Sequence, residues 1–392
     1  MEENIVMVHG GGPTAVLNAS LYGAVMEAKK NSCLRHIYAA RNGTGGLLRG
    51  ELWELERLSE EQLALLPQTP GSAIGTSRDQ IQPADYEKMA EVLKEKQIRY
   101  VLFYGGNGTM DACGKLYQAC HAKGNEVFII GVPKTMDNDI AVTDHSPGFG
   151  SAARFMAQSI KEVCADVKGL AIHVVVVEAS GRNAGWITAA SALAADEDGL
   201  GPDLIYLPEC PFEEDRFVED VRQLLQSKSG IVVVVSEGLK DAAGRPVVEP
   251  IFQSGRATYF GEVSSHLANV IIRRLGYKAR GEKPGLLGRA SISLQSPVDR
   301  EEAELAGRFA CQAVLRGESG KMVAFRRIST SPYQIEPFLV DISEVMLHER
   351  AMPDEFINEA GNGVTRQFEE WCRPLLGGSL SKMFVELKRG VK

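Results

Sequence analysis

Short apolar runs alternate with amphipathic stretches along this chain. Runs of hydrophobic residues at strand length are typical of strands that are buried on both faces of a sheet. They predict strands at Asn4–Val8, Arg99–Tyr104, Val127–Val132, Ile172–Val177, Leu204–Leu207 and Ile231–Val235. Helical periodicity predicts helices at Asn18–Lys30, Asp85–Lys96 and Thr109–Lys123. Strands that alternate with helices predict an α/β fold with mostly parallel, doubly wound sheets.

Length and composition narrow the class of protein. A chain of 392 residues is long enough for two α/β lobes. Its net charge is −8 and it has no basic stripe, so nucleic acid is not expected as a partner. No apolar run approaches the roughly 20 residues that a membrane span needs, and no signal peptide is expected at the start. Seven scattered cysteines without metal-ligand spacing predict reduced thiols and a cytoplasmic protein.

Two glycine-rich turns follow predicted strands, at Gly10–Thr14 and Gly105–Thr109. Glycines let backbone N–H groups approach a phosphate, and the start of a helix favours negative charge. Ligands of doubly wound sheets bind beyond the carboxyl ends of the strands, so both turns are predicted to contact one polyphosphate. A purely structural turn is the alternative for each turn taken alone.

A third motif, Pro133–Asp139, places two carboxylates directly after a predicted strand. One of Asp137 and Asp139 can accept the proton of an attacking hydroxyl, and the other can hold Mg²⁺ or orient the first. Lys134 supplies a positive charge for a phosphate. The alternative is a capping turn whose acids are only solvated.

Two further segments carry arginines beside glycines. Ser180–Gly185 contains Arg182, which can pair with a phosphate through two hydrogen bonds. The segment 280–289 contains Arg280, Lys283 and Arg289, a cluster that suits a sugar-phosphate dianion. Solvated surface arginines are the alternative in both segments.

These segments, in this order, resemble the phosphofructokinase family. Pro133–Asp139 reads PKTMDND, similar to the family's PKTIDND or PGTIDND. His145–Arg154 and Glu178–Trp186 are similar to the family's TPGFGTA and EVMGRxxGW segments, and Ser236–Gly238 matches its SEG. The resemblance runs from Ile5 to about residue 375, nearly the whole chain.

The resemblance implies two Rossmann-like lobes with the active site in the cleft between them. The larger, donor-binding lobe would comprise residues 1–139 plus 288–392, and the smaller, sugar-phosphate-binding lobe would comprise residues 140–287. The implied reaction is phosphorylation of the 1-hydroxyl of fructose 6-phosphate to fructose 1,6-bisphosphate, a step of glycolysis, with Mg²⁺ as cofactor. A homodimer or homotetramer is implied, because the family builds its sugar site across subunits.

The resemblance also implies roles for individual residues. Asp137 would be the general base, with Thr135, Asp139, Arg182 and Lys134 as its catalytic partners. The residues expected at the phosphoryl donor are Gly11, Gly12, Arg78, Gly106, Asn107, Gly108 and Thr109. The residues expected at the sugar phosphate are Thr135, Asp137, His173, Gly181, Arg182, Glu237, Arg280 and Arg289. The residues expected at the metal are Asn107 and Asp139.

The prediction of the phosphoryl donor depends on positions where this sequence departs from the family pattern. Asn107 stands where the family usually has a metal-binding Asp. Gly108 stands where pyrophosphate users have an Asp that repels the nucleotide, so its small size predicts ATP as donor. Pyrophosphate is the alternative, because Lys134 and the segment 350–375 resemble the pyrophosphate-using branch. A non-catalytic paralogue that only binds sugar phosphate is a further alternative, supported by Asn107 alone.

Other departures concern the acceptor and regulation. His173 and Leu286 replace an Arg and a His of many bacterial members, so a related acceptor such as sedoheptulose 7-phosphate stays open. Tyr22 and Met26 occupy positions that are basic in allosteric bacterial members. An ADP or phosphoenolpyruvate effector site of that type is therefore not expected.

Overall fold

The computed structural model describes residues 3–77, 79–170, 173–195, 200–254, 257–346 and 348–382. Its strands are β1 (Glu3–His9), β2 (Leu34–Ala40), β3 (Leu52–Glu54), β4 (Ile98–Gly105), β5 (Phe128–Pro133), β6 (Val174–Ala179), β7 (Leu204–Tyr206), β8 (Ile231–Ser236), β9 (Pro250–Ser254), β10 (Ala257–Phe260), β11 (Ala279–Glu282), β12 (Lys321–Thr330) and β13 (Tyr333–Asp341). Its α-helices are α1 (Leu17–Ala28), α2 (Thr44–Arg49), α3 (Glu60–Ala64), α4 (Pro83–Glu95), α5 (Asn107–Ala122), α6 (Phe149–Gly169), α7 (Trp186–Ala190), α8 (Glu214–Leu225), α9 (Val263–Leu275), α10 (Leu287–Ala290), α11 (Pro297–Leu315) and α12 (Arg366–Cys372).

Contacts divide the chain into two compact units. The larger unit comprises Met1–Ala152, Arg289–Arg350 and Pro374–Gly377. The smaller unit comprises Ala153–Gly288, Ala351–Arg373 and Gly378–Lys392. The contacts thus group Ala351–Arg373 and Gly378–Lys392 with the smaller unit, whereas the predicted lobes group all of 288–392 with residues 1–139.

The larger unit is built on a seven-stranded sheet of order β13-β12-β5-β4-β1-β2-β3. The five inner strands run parallel, and β3 and β13 pair antiparallel at the two edges. Residues of β1 alternate between two cores. Ile5 and Met7 pack with α1 and α11 on one face, while Val6 and Val8 pack with α4 and α5 on the other. Burial on both faces is why β1 reads as a continuous apolar run.

The smaller unit has a parallel sheet of order β11-β6-β8-β7. Strands β6 and β8 are buried along their whole length, and they pack with α8 and α9. Strands β9 and β10 form a separate antiparallel pair. The predicted fold class, an α/β protein with mostly parallel sheets in two lobes, is confirmed.

Aromatic packing explains why the C-terminal segment joins the smaller unit. The ring of Trp186, which directly follows the Arg182 turn in sequence, lies 5.0 Å from the ring of Trp371 and 6.0 Å from that of Phe356. Phe368 completes the cluster at 6.5 Å from Trp186. Trp186 and Phe368 are buried, and burial of large aromatic rings is strongly stabilising.

All the predicted helices and strands exist at the predicted positions, with ends that differ by at most two residues; Ile172 lies outside the described residues. The missed strands are β2, β3 and β9 to β13. Strands β3, β9, β10 and β11 have only three to five residues. Strands β2, β12 and β13 are longer, but each mixes buried with more exposed positions, so none is a continuous apolar run. Among the described residues, no helix combines the length and the hydropathy that crossing a membrane would require.

A buried ionic network connects the segment after β5 to α11 and the β12–β13 hairpin. His145 contacts Asp144 through Nδ1 at 2.8 Å and Glu302 through Nε2 at 2.7 Å. Tyr333 donates a hydrogen bond to Glu302 at 2.6 Å, and Arg327 pairs with Asp144 at 2.9 Å. Burial alone would lower the pKa of His145, but the two carboxylates raise it to about 9. His145 is therefore a buried imidazolium at neutral pH.

This network predicts that stability falls as the solution becomes alkaline. The folded-state pKa of His145, about 9, lies above its ordinary value of 6.5. The contribution of protonated His145 to the free energy of unfolding is complete below pH 6.5 and is lost as the pH rises through 9. The free energy of unfolding should fall in this window by at most about 1.4 kcal/mol per pH unit. Thermal unfolding followed by circular dichroism between pH 6 and pH 10 measures it.

His145→Gln should lower the melting temperature at pH 7 and flatten its pH dependence in this window. Removal of one partner from a buried ion pair typically costs about 3–5 kcal/mol. His266→Gln is the matched control, because His266 is 41% exposed and lies 3.8 Å from Glu214. An unchanged pH profile in His145→Gln would show that another group titrates.

Candidate active site

The first glycine turn follows β1 in the larger unit. Gly10 donates its backbone N–H to Tyr104 at 2.8 Å, and Gly11 donates to the carbonyl of Ser77 at 3.1 Å. Thr76 donates its hydroxyl to the carbonyl of Gly11 at 2.8 Å. The turn is thereby held between β4 and the residues Thr76 and Ser77. Arg78, which was predicted to contact the donor, lies outside the described residues.

The second glycine turn lies against the first. A Cβ placed on Gly10 would come within 2.3 Å of the Thr109 hydroxyl oxygen, and one on Gly105 within 2.1 Å. Only glycine fits at both positions, and the buried Thr109 side chain fills the space over them. Thr109 therefore packs the two turns together, which is a structural role that its sequence position did not reveal. Gly106 and Gly108 flank Asn107 at the start of α5.

Lys134 connects both turns to the end of β5. Its backbone N–H donates to the carbonyl of Gly105 at 3.0 Å, and its buried ammonium donates to the carbonyls of Gly10, at 3.2 Å, and Gly12. Burial, reinforced by the charge of Lys134, lowers the pKa of His9 to about 3. His9 is therefore neutral, and Lys134 is the cation beside the first turn.

The carboxylate turn after Lys134 is held by the segment 145–149. Thr135 donates its N–H to the carbonyl of Pro147 at 3.1 Å, and its hydroxyl oxygen accepts the N–H of Asp137 at 3.1 Å. Asn138 has a left-handed φ of 54° and is fully buried, and its side-chain oxygen accepts the N–H of Ser146 at 3.0 Å. Asn138 thus fixes the bend, while Asp137 and Asp139 on either side are only half-buried.

Asn107 and Asp139, the two residues predicted at the metal, lie side by side. The Asn107 amide donates to the carbonyl of Asp139 at 3.1 Å. Each residue keeps one buried side-chain oxygen, Oδ1 in both cases, without a hydrogen-bond partner in the structure. Burial raises the pKa of Asp139, although hydrogen bonds oppose it. Unsatisfied oxygens of this kind fit Mg²⁺, which takes oxygen ligands.

In the smaller unit, Gly181, Arg182 and Glu237 come together beyond the carboxyl ends of β6 and β8. Gly181 donates its N–H to the Glu237 carboxylate at 3.2 Å. Arg182 is exposed and has a left-handed φ of 48°. A Cβ on Gly238 would lie 1.6 Å from the carbonyl oxygen of Arg182, so only glycine allows this close approach.

Glu209 anchors the same arginine turn, and its role was not foreseen. Its Oε1 accepts the N–H of Gly185 at 2.8 Å and that of Met352 at 3.1 Å. Burial raises the pKa of Glu209, although these hydrogen bonds oppose it. The three residues are far apart in sequence, so no local motif could have identified the contact.

His173 and Arg280 lie at the other end of the smaller unit's sheet. His173 directly precedes β6, and its Nδ1 accepts the N–H of Lys278 at 3.2 Å. Arg280 stands in β11 opposite Val175, near the start of β6. Within this unit the structure therefore separates them from Gly181, Arg182 and Glu237, which follow the ends of β6 and β8.

The remaining basic residues differ in their surroundings. Lys283 pairs with the buried carboxylate of Glu178 at 2.8 Å inside the smaller unit. The ammonium thereby neutralises the buried negative charge of Glu178. Arg289 is half-buried in the short helix α10 and is assigned to the larger unit. The predicted basic cluster of segment 280–289 is thus distributed over separate environments.

Comparison with known proteins identifies the family. The family model described as phosphofructokinase matches residues 4–314. A pyrophosphate–fructose 6-phosphate 1-phosphotransferase from Xanthomonas campestris is 38% identical over 96% of this chain and 92% of its own length. A protein of the same name from Rhodospirillum rubrum is 35% identical over 95% and 94%.

Solved structures agree with this comparison. The crystal structure of a pyrophosphate-dependent phosphofructokinase from Marinobacter aquaeolei is similar to this protein with a TM-score of 0.88 and 33% sequence identity. The similarity covers 99% of this chain and 95% of that chain. The match of a family model over most of the chain, together with these full-length relatives, shows that this protein belongs to the phosphofructokinase family of phosphotransferase enzymes.

Proposed function

We propose that this protein is a pyrophosphate-dependent fructose 6-phosphate 1-phosphotransferase. The observation that carries the proposal is the 38% identity to a pyrophosphate-using relative over 96% of this chain. The Lys134 ammonium, on the carbonyls of Gly10 and Gly12, supplies a cation for a phosphate donor. Pyrophosphate offers little beyond charge and oxygen atoms, so its binding depends on a fixed cation and on backbone N–H groups. The similarity to pyrophosphate-using relatives over nearly the whole chain supports the same donor.

The prediction of ATP as donor is not supported by these relatives. It rested on the space beside Gly108, and that space exists, because a Cβ on Gly108 would meet nothing within 4 Å. Absence of a clash permits a nucleotide but supplies no group that would bind its adenosine. Steric room is therefore a weak predictor of the donor, and the pyrophosphate-using relatives that match nearly the whole chain are the better guide.

In the proposed mechanism Asp137 accepts the proton of the sugar's 1-hydroxyl. The hydroxyl oxygen then forms a bond to the transferred phosphorus while the bridging P–O bond of pyrophosphate breaks, which releases phosphate. Lys134 and the backbone N–H groups of Gly12 and Gly106 would neutralise and orient the donor. The family resemblance assigns Gly11 and Arg78 to the same donor site. Asn107 and Asp139 would hold Mg²⁺, which neutralises phosphate charge when bound.

The sugar phosphate is assigned to residues that the family resemblance indicates. Thr135 would contact the reacting end of the sugar, and Gly181, Arg182 and Glu237 its remaining polar groups, with Arg289 at the 6-phosphate. Because His173 and Arg280 lie at the opposite end of the smaller unit's sheet, we propose that they serve the site of a second copy. A cytoplasmic homodimer or homotetramer that acts in glycolysis is the corresponding assembly.

The donor proposal predicts faster turnover with pyrophosphate than with ATP. Fructose 6-phosphate and Mg²⁺ should be supplied with each donor in turn, and fructose 1,6-bisphosphate should be followed by a coupled assay. We expect kcat/KM for pyrophosphate to exceed that for ATP by at least about tenfold, a difference of about 1.4 kcal/mol in transition-state stabilisation. Equal or faster use of ATP would contradict the proposal. Sugar-phosphate binding without turnover on either donor would indicate the non-catalytic paralogue.

Gly108→Asp should lower any residual use of ATP more than the use of pyrophosphate. The added carboxylate projects into open space at the start of α5, where it repels a nucleotide phosphate without disturbing the fold. Gly108→Ala adds a methyl group without charge and is the matched control. Equal losses with both donors would remove position 108 from donor selection.

Asp137→Asn should lower kcat by about 10²- to 10⁴-fold, the usual contribution of a positioned general base. The amide keeps the shape of the side chain, so the dissociation constant of fructose 6-phosphate, measured by calorimetry, should stay within about threefold. Glu126→Gln, which changes a carboxylate that is 82% exposed, is the control. A variant that retains more than a tenth of the wild-type turnover would exclude Asp137 as the base.

A further inference from the structure

We propose that Arg350 is a positioning residue that holds Asp139 in the geometry needed for binding the metal. This inference rests on the proposed function, because it assumes that Asp139 is a metal ligand. Arg350 lies more than 200 residues after Asp139 in sequence, and it belongs to the same compact unit. Its hydrogen bonds go to the backbone carbonyls of Asp139, Thr143 and Asp144, so its expected effect on the metal is indirect.

Arg350 contacts both ends of the segment 139–144. Its backbone N–H donates to the carbonyl of Asp139 at 2.8 Å. Its guanidinium Nη1 donates to the carbonyl of Asp144 at 2.8 Å and to that of Thr143. An isolated bridge between Ile140 and Glu349 runs beside these contacts. One residue therefore clamps the start and the end of the bend that follows the catalytic turn.

The bend has a conformation that needs such support. Asn138 and Val142 have left-handed φ angles of 54° and 66°. A β-branched residue is a rare occupant of this region, because its Cβ substituents crowd the backbone. Val142 is also 47% exposed, so it receives little packing of its own. Strained backbone of this kind persists only where surrounding contacts hold it, and it is frequent next to active sites.

The far end of the bend is attached to a rigid part of the larger unit. Asp144 donates its N–H to the carbonyl of Phe325 in β12 at 2.9 Å, and the Thr143 hydroxyl oxygen accepts the N–H of Phe325 at 2.9 Å. The side chain of Asp144 also pairs with His145 and Arg327. Arg350 thus connects the backbone of Asp139 to a segment that β12 already holds in place.

The contacts leave the Asp139 side chain available. Arg350 and Asn107 both donate to the backbone carbonyl of Asp139, and Oδ1 of the carboxylate accepts no hydrogen bond in the structure. The backbone is fixed from two sides, while a carboxylate oxygen is left for a cation. Groups that orient a metal ligand in this way typically change metal affinity or activity by about 10- to 100-fold when they are removed.

Replacement of Arg350 should weaken metal binding more than sugar binding. In Arg350→Gln we expect the dissociation constant for Mn²⁺, titrated alone into the full-length enzyme and followed by electron paramagnetic resonance, to rise about tenfold or more. With pyrophosphate, fructose 6-phosphate and Mg²⁺, kcat should fall about 10- to 100-fold. The KM for fructose 6-phosphate should change less than threefold.

Two further variants keep the test decisive. Arg350→Lys retains the charge but not the planar guanidinium, so it should give an intermediate Mn²⁺ affinity, and it replaces Arg350→Gln if that variant does not fold. Arg326→Gln is the matched control, because Arg326 is an exposed arginine of the same unit that pairs with Glu336 at 3.0 Å. Its Mn²⁺ affinity and kcat should equal those of the wild type.

The outcomes separate this inference from the proposed function. A lower melting temperature with unchanged Mn²⁺ affinity and kcat would show a merely structural role for Arg350 and overturn the inference. Failure of the wild-type enzyme to bind Mn²⁺ would overturn it as well. Weaker Mn²⁺ binding in Arg350→Gln would support it even if the wild-type enzyme proved to use a donor other than pyrophosphate.

Discussion

The structure of the larger unit's site depends on the contacts of Lys134. Its backbone N–H binds the carbonyl that ends β4, and its ammonium binds carbonyls of the turn after β1. Since β1, β4 and β5 are neighbours in a parallel sheet, their carboxyl ends meet at one edge. A single lysine can therefore hold two glycine turns and the carboxylate turn in one arrangement. Its positive charge thereby lies beside the first glycine turn, at the edge of the sheet where these strands end.

In both units, the proposed functional side chains are positioned by contacts to the backbone at or beside them. The carbonyl of Asp139 receives two hydrogen bonds, and Asn138 fixes the bend beside it. In the smaller unit, Glu209 holds Gly185, and Gly238 permits the close approach of the Arg182 backbone. Asp137 and Arg182 themselves stay accessible. Rigid backbone with accessible side chains provides the positioning on which phosphoryl transfer depends.

The choice of phosphoryl donor shows that steric room for a ligand and affinity for it are different properties. Open space beside Gly108 allows a larger donor, but affinity requires contacts that are made and not merely clashes that are absent. In the proposed function the ammonium of Lys134 supplies such a contact for a phosphate. Local reasoning from the size of one side chain predicted ATP, whereas the full-length relatives to which this chain is similar are named as pyrophosphate users.

The sequence by itself determined the α/β class, the buried strands β1, β4, β5, β6 and β8, and the turns that follow them. These features are local, because a doubly buried strand needs a continuous apolar run and a tight turn beside a phosphate needs glycine. Tertiary structure alone decided that Thr109 packs the two turns together, that His173 lies away from Arg182 in the smaller unit, and that Glu209 and Arg350 hold residues far from them in sequence. The contacts of Glu209 and Arg350 join a side chain to backbone groups, which every residue has. The local sequence around the backbone partner therefore gives no sign of the contact.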